Sequence, residues 1–267
     1  MKEIVFNVPS RRSLGVLSVP DHLDAAAPTV LIPNTGLEHR VGPNRVHVDI
    51  CRALAGAGVP ALRLDLSGMG DSSRGDRLDA TADLRAAVDQ LEASGFAPRV
   101  IGVGLCSGAH DLHQLARLDP RVIAAAFIDG YAYPTPLFHL NYLLQRLAEP
   151  SRVFKSLRRR FEETEADELE YFQQPDRRQM SLDMDLFLRR KVSLWYVYTG
   201  QVQHVYNYAE QFFDAFPALR GRPGVKLTHL RRCDHTFSRA VMRSSIASQI
   251  VQWVTDGLRG GFAALPG

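Results

Sequence analysis

A doubly wound α/β fold, with a mostly parallel sheet of about eight strands and a helical lid, is predicted by three features of the sequence. Short continuous apolar runs alternate with longer segments of three- and four-residue apolar periodicity, and one connection is far longer than the rest. The chain opens on two β-rich runs, Glu3 to Val8 and Leu14 to Val19, joined by Pro9-Ser10-Arg11-Arg12. This reads as a hairpin and therefore as an antiparallel edge. After Ala25-Ala26-Ala27-Pro28 the runs become uninterrupted: Thr29 to Pro33, Pro60 to Leu66, Arg99 to Leu105, Val122 to Ile128, Ser193 to Tyr198 and Val225 to Leu230. Strands covered on both faces have this character. Between them Asn44 to Ala57, Asp79 to Ser94, Ser107 to Leu118 and Val205 to Phe216 read as amphipathic helices, and Ser238 to Leu258 closes the chain. Such βαβα order implies right-handed crossovers and one sheet.

The connection over residues 133–191 far exceeds the median loop of about 4 to 6 residues, and its Leu- and Arg-rich pattern predicts helices above the sheet. The expected organisation is a core of residues 1–132 and 193–267 with a lid, 133–192, inserted in it. A separate small domain is the alternative, against which stands the lack of a Gly/Pro/Ser-rich linker on either side.

Composition narrows the classes. The chain has 267 residues, 45% hydrophobic and 23% charged, which suits a globular core and not a disordered segment. No run approaches the roughly 20 apolar residues of a membrane span. The start, Met1-Lys2-Glu3-Ile4-Val5-Phe6, carries an early acid and no leader-like apolar run, so a cytoplasmic location is expected. A net charge of +3, with Arg158-Arg159-Arg160 followed at once by acids, argues against nucleic acid as partner. Three cysteines without a CxxC pair make neither a disulfide scaffold nor a zinc site, and no metal or other cofactor is expected.

The chemistry concentrates at Gly102-Val103-Gly104-Leu105-Cys106-Ser107-Gly108-Ala109, where a strand runs into a helix through small-x-Cys-x-small. That is the layout of a nucleophile elbow, in which the central residue occupies a strained turn and flanking glycines let strand and helix backbones approach. Cys106 is the expected nucleophile, its thiolate favoured by the helix N-terminus. Centring the motif on Ser107 would put Leu105 where the turn needs a small residue; a merely buried Cys106 is the other alternative. Arg231-Arg232-Cys233-Asp234-His235-Thr236-Phe237 lies between the last strand and the last helix, and His235 there is the candidate general base. Cys233 and Asp234 read as loop-packing residues. The segment after the strand that follows the lid, Thr199-Gly200-Gln201-Val202-Gln203-His204, holds no carboxylate. Asp129, in Phe127-Ile128-Asp129-Gly130-Tyr131, is therefore the candidate for the acid that orients the histidine, a turn-forming Asp being the alternative. Oxyanion donors are expected from the Ser107 amide and from Thr35 or Gly36 in the loop after the first parallel strand. Glu38, His39, Tyr131, Tyr133, Phe138 and Tyr142 are candidates for substrate contact, with Leu137, Leu140, Leu143, Leu144 and Phe187 as further apolar lining.

On these residues the chain resembles the α/β-hydrolase superfamily over nearly its whole length. The segments Asn34-Thr35-Gly36-Leu37-Glu38-His39-Arg40-Val41-Gly42-Pro43-Asn44-Arg45, Leu62-Arg63-Leu64-Asp65-Leu66-Ser67-Gly68-Met69-Gly70-Asp71-Ser72 and Asp234-His235-Thr236-Phe237 are similar to a bacterial serine-aminopeptidase-like branch that includes exosortase-associated hydrolases. By that resemblance the Arg63/Asp65/Gly68/Gly70/Ser72 segment holds the loop beside the active site. The setting of Asp129 is similar to that of the acid in polyketide-synthase thioesterase domains, and dienelactone hydrolases and bile-acid acyltransferases share the fold with a cysteine nucleophile. The resemblance implies an α/β-hydrolase fold and an acyl-processing hydrolase or thioesterase. It would act on an ester or thioester through an acyl-cysteine, in secondary-metabolite or polysaccharide biosynthesis. Acyl transfer or cyclisation onto an amine or alcohol is the alternative, and a non-catalytic binding protein on the same scaffold is a second. The acyl group is expected on a small molecule, coenzyme A or an acyl carrier protein, with Arg152, Lys155 and Arg158 to Arg160 as candidates for meeting an anionic carrier.

Overall fold

The computed structural model of the chain describes residues 1–73, 79–148 and 174–262. Eight strands form one sheet: β1 (Lys2–Val8), β2 (Ser13–Val19), β3 (Thr29–Pro33), β4 (Ala61–Asp65), β5 (Val100–Leu105), β6 (Val122–Ile128), β7 (Ser193–Thr199) and β8 (Val225–Leu230). Their spatial order is β1-β2-β4-β3-β5-β6-β7-β8. The hairpin β1/β2 and the β2/β4 pair are antiparallel, and every pairing from β4 through β8 is parallel. The predicted fold class is the observed one.

Alternation along the central strands separates two cores. Ala125 and Phe127 of β6 face one side, where they meet helices α2 (Ala80–Ala93) and α3 (Ser107–Leu118) through Leu84, Leu91 and Leu112. Ala124, Ala126 and Ile128 face the other side, against α1 (Val46–Gly56) and the last helix through Ile50, Leu54, Ile250 and Trp253. With side chains buried on both faces, β3, β4, β5 and β7 are enclosed along their whole length, which is why they lack polar alternation. Among the described residues no helix is long and apolar enough to cross a membrane.

Within the long connection lie α4 (Pro136–Ala148) and α5 (Arg177–Arg189); Arg152, Lys155 and Arg158 to Arg160 fall outside the described residues. Both are helices, and α5 packs on the flank of the sheet. Met180, Met184 and Phe187 are buried in the same core as Leu112, and Asp183 accepts from His113 of α3 at 2.9 Å. Arg117 adds a 3.1 Å ion pair to the same carboxylate, so α5 belongs to the helical layer flanking the sheet. Phe187 is thus core, not pocket lining.

The predicted helix Val205 to Phe216 shrinks to α6 (Gln211–Ala215), before the closing α7 (Ala240–Gly260). The buried Gln211 amide is the reason. It accepts from Asn207 N at 2.9 Å and donates to the carbonyls of Val205 and Tyr133 at 2.7 and 3.0 Å, satisfying in an open turn groups that a helix would have paired.

Candidate active site

Cys106 occupies the turn between β5 and α3 with φ 54° and ψ −118°, a conformation that costs a residue with a side chain on the order of 1–3 kcal/mol. Its amide donates to Ile128 O at 2.9 Å, and its carbonyl accepts from Ala109 N at 3.0 Å, fixing the turn from both sides. A Cβ on Gly104 would collide with the Gly108 carbonyl and lie 2.6 Å from the Ala109 Cα, and one on Gly108 would lie 2.9 Å from Asn34 O. The elbow therefore falls on Cys106, while Ser107 is the first residue of α3 and is buried. Gly104→Ala should lower the thermal midpoint by roughly 5–10 °C in calorimetry, because the obstruction is backbone and cannot rotate away. Gly56→Ala, where a Cβ meets nothing within 4 Å, is the matching control and should leave it unchanged or slightly raised.

Asp129 sits one strand over, directly after β6, with φ 48° and its side chain fully buried. One carboxylate oxygen accepts the Thr199 amide at 2.7 Å; the other accepts the Thr199 hydroxyl at 2.7 Å and His235 Nδ1 at 2.8 Å. With Nδ1 committed to Asp129, Nε2 is the ring nitrogen left for Cys106, whose nearness also raises the imidazole pKa. Asp129 first and Cys106 second raise the His235 pKa, against a desolvation cost, from its usual 6.5 to about 10. The ring is thus held as imidazolium at neutral pH. Cys51 and Cys233 stand in contrast, since burial pushes both thiols up to about 12 and keeps them protonated.

His235 reaches Asp129 because its loop crosses the end of β7. Gly200 makes the crossing possible: its amide donates to the carbonyls of Leu230 and Cys233 at 3.1 and 3.0 Å, and a Cβ there would collide with Arg231 O. Asp234 accepts from Thr236 Oγ1, Ser238 N and Ser238 Oγ, each at 2.9 Å, and Phe237 is buried in the core below. Cys233 and Asp234 are accordingly packing and turn residues. Gln203 is exposed and takes no part; from this segment Gln201 accepts the His235 amide at 3.0 Å.

The loop after β3 is held from three sides. Asn34 donates to Gly36 O at 2.8 Å and accepts the Leu66 amide at 3.1 Å, and Thr35 Oγ1 lies 3.3 Å from both Leu105 O and His47 Nε2. The Gly36 amide donates to Ser107 Oγ at 2.6 Å. Arg40 is locked through its guanidinium and its amide to the buried Asp65, so the Arg63-to-Ser72 segment does brace this loop. His39 and Asp71 join the same cluster, at 3.1 Å from one another, where Arg40 already balances both carboxylates.

The remaining predicted contact residues divide. Glu38 is exposed on the loop. Tyr131 is buried and stacked on His110, ring centroids 4.3 Å apart, while the Tyr133 hydroxyl donates to Pro175 O at 2.7 Å and its ring packs on Phe216. Phe138 is buried beside Tyr142, their centroids 6.0 Å apart. Tyr133 and Phe138 thus have packing duties that their sequence positions did not disclose, whereas Leu137, Leu140, Leu143 and Leu144 are exposed. Two residues went unread. Thr199 holds Asp129, and its signal, a Thr closing β7, is indistinguishable from ordinary strand propensity. His110, one helical turn beyond Cys106, is pushed down to about 4 by burial and is neutral beside the site; its spacing from the elbow was visible.

The model of a family described as "Alpha/beta hydrolase family" matches residues 35–259. No curated protein matches the chain. Among solved structures, an esterase from Pyrococcus furiosus is similar at 15% identity, covering 96% of this chain and 89% of that one, with a TM-score of 0.62. The esterase domain of a Rhodothermus marinus protein is similar at 19% identity, covering 96% and 98%, TM-score 0.60. A thioesterase domain from the curacin biosynthetic pathway is similar at 14% identity, covering 96% and 99%, TM-score 0.52. At these identities the likeness is one of fold.

Proposed function

The chain belongs to the alpha/beta hydrolase family, and within it we propose an acyl-processing enzyme, a thioesterase or esterase, that carries its acyl group on Cys106. The observation that supports this reading is the Cys106, His235 and Asp129 constellation: a thiol in an elbow turn, beside an imidazole that a buried carboxylate holds at 2.8 Å. Attack needs the Cys106 thiolate with its proton held on His235, whose pKa Asp129 raises. The thiolate sulfur attacks the acyl carbonyl, the C–S bond forms, and the carbonyl electron pair moves onto oxygen, where backbone amides stabilise it. Collapse expels the leaving thiolate or alkoxide, which takes the His235 proton. The neutral imidazole then draws a proton from the incoming acceptor, and Asp129 stabilises the charge that reforms on the ring.

Water is the acceptor in the leading form of the proposal. Transfer to an amine or alcohol is the second reading. The resemblance to biosynthetic relatives suggests acyl groups delivered as thioesters of coenzyme A or of a carrier protein.

Intact-mass measurement after mixing with a short activated acyl thioester tests the reading. Wild type should gain one acyl mass, removable by hydroxylamine, and Cys106→Ala should gain none. A wild type that neither labels nor turns over esters or thioesters would make the chain a binding protein on a hydrolase scaffold.

A further inference from the structure

We propose that the Ser107 side chain is the positioning group of the oxyanion site: its hydroxyl takes the Gly36 amide and thereby leaves the neighbouring Thr35 amide, paired with that of Ser107, to receive the acyl oxygen. The inference rests on the acyl-cysteine reading of Cys106 and adds a residue to it. Three observations carry it. First, Ser107 Oγ is buried and accepts Gly36 N at 2.6 Å, so this amide is directed to the hydroxyl and not to a substrate. Second, the Thr35 amide donates to no described residue, although Thr35 is buried and lies beside the elbow, its hydroxyl 3.3 Å from Leu105 O. Third, Ser107 opens α3, where first-turn amides have no intrahelical acceptor, so its own N–H is available on the same side.

The hydroxyl is one of three polar anchors of this turn, the others being Asn34 Nδ2 on Gly36 O and Glu38 N on Thr35 O. Gly36 has φ 53°, and a Cβ built on it meets nothing within 4 Å. Asn34 holds the Gly36 carbonyl at 2.8 Å, and among the described residues Ser107 is the acceptor of the amide, so together they set the peptide planes on either side of Gly36. Without the hydroxyl, the Thr35–Gly36 peptide keeps only its carbonyl anchor, Glu38 N on Thr35 O at 3.0 Å, and can rotate about it as the Gly36 amide seeks another acceptor, shifting the Thr35 backbone. Sequence reading singled out Ser107 as a rival nucleophile; the structure gives that hydroxyl a different duty.

The test compares two reactions of the same sulfur. Acylation by a thioester develops negative charge on the carbonyl oxygen. Alkylation by iodoacetamide does not, since the thiolate displaces iodide from an sp³ carbon. Ser107→Ala should slow acylation about 10- to 100-fold, somewhat less than outright loss of one oxyanion donor. It should leave the alkylation rate within about twofold of wild type. Ser107→Thr, which keeps the hydroxyl, should restore acylation. The proposal is overturned if Ser107→Ala acylates at the wild-type rate, if both reactions slow equally, as a damaged elbow would make them, or if Ser107→Thr behaves like Ser107→Ala. If wild type alkylates at Cys106 but is never acylated, the acyl-cysteine reading fails and takes this inference with it.

Discussion

Cys106→Ser is expected to lose about 10³-fold in turnover at pH 7 and to regain activity as pH rises, reversing the wild-type profile. The two nucleophiles need opposite states of the same ring. A cysteine nucleophile works as thiolate beside an imidazolium, so wild-type kcat/KM should hold up to the range where His235 deprotonates, near pH 10, and fall beyond it. A serine hydroxyl needs a neutral imidazole to remove its proton. In that variant the contribution of Cys106 to the raised pKa is gone, but the Asp129 hydrogen bond, the larger cause, remains. Neutral base is therefore scarce at pH 7 and grows with pH. Initial rates on one thioester between pH 5 and pH 10 read this directly; a serine variant whose profile parallels wild type would show that His235 is not protonated at rest. The same group leaves a mark on stability. Its folded pKa lies above the unfolded 6.5, so its protonation stabilises the native state in full below about pH 6.5, and that contribution is lost as pH rises through about 10. His235→Gln should flatten that part of the dependence.

How much of this could be read from sequence follows from what each residue is asked to do. Strands buried on both faces write themselves as continuous apolar runs, so β3 through β7 were legible, and so was the elbow, whose steric demand forces glycines at 104 and 108. Asp129 stood out because it ends the strand beside the elbow strand, while the segment after β7 holds no carboxylate. The partners themselves were not legible. Thr199 meets Asp129 only because β6 and β7 pair with Ile128 beside Val197, a register set by sheet order and not by either residue. Periodicity likewise says that α5 buries Met180, Met184 and Phe187, but not whether the burying surface is the sheet layer or a lid. At Val205 to Phe216 the apolar spacing was helical, and a single side chain, Gln211, overrode it by offering the backbone other partners.

Asp129→Asn should abolish most of the activity, about 10² to 10⁴-fold in kcat, while the protein stays folded. Asparagine suits the backbone, since it tolerates the left-handed φ of 48° better than most residues. Its carbonyl oxygen can still accept the Thr199 amide, now held at 2.7 Å. What changes is the other arm. In place of the oxygen that accepts both Thr199 Oγ1 and His235 Nδ1 stands an amide nitrogen, which can only donate. Thr199 Oγ1 can turn to accept, but Nδ1 must then give up its proton, which places the ring proton on Nε2, facing the sulfur. The charge that favours imidazolium is also gone, so the thiolate loses its partner near neutral pH. Iodoacetamide reports this separately from turnover: the alkylation rate of Asp129→Asn at pH 7 should fall with kcat and recover at high pH, where the thiol ionises unaided. Asp129→Ala should differ in kind, since it leaves the buried Thr199 amide without an acceptor and should cost about 1–3 kcal/mol of stability besides. Wild-type turnover and alkylation in Asp129→Asn would mean that the dyad works without its acid, leaving Asp129 as a tie between β6, the end of β7 and the His235 loop.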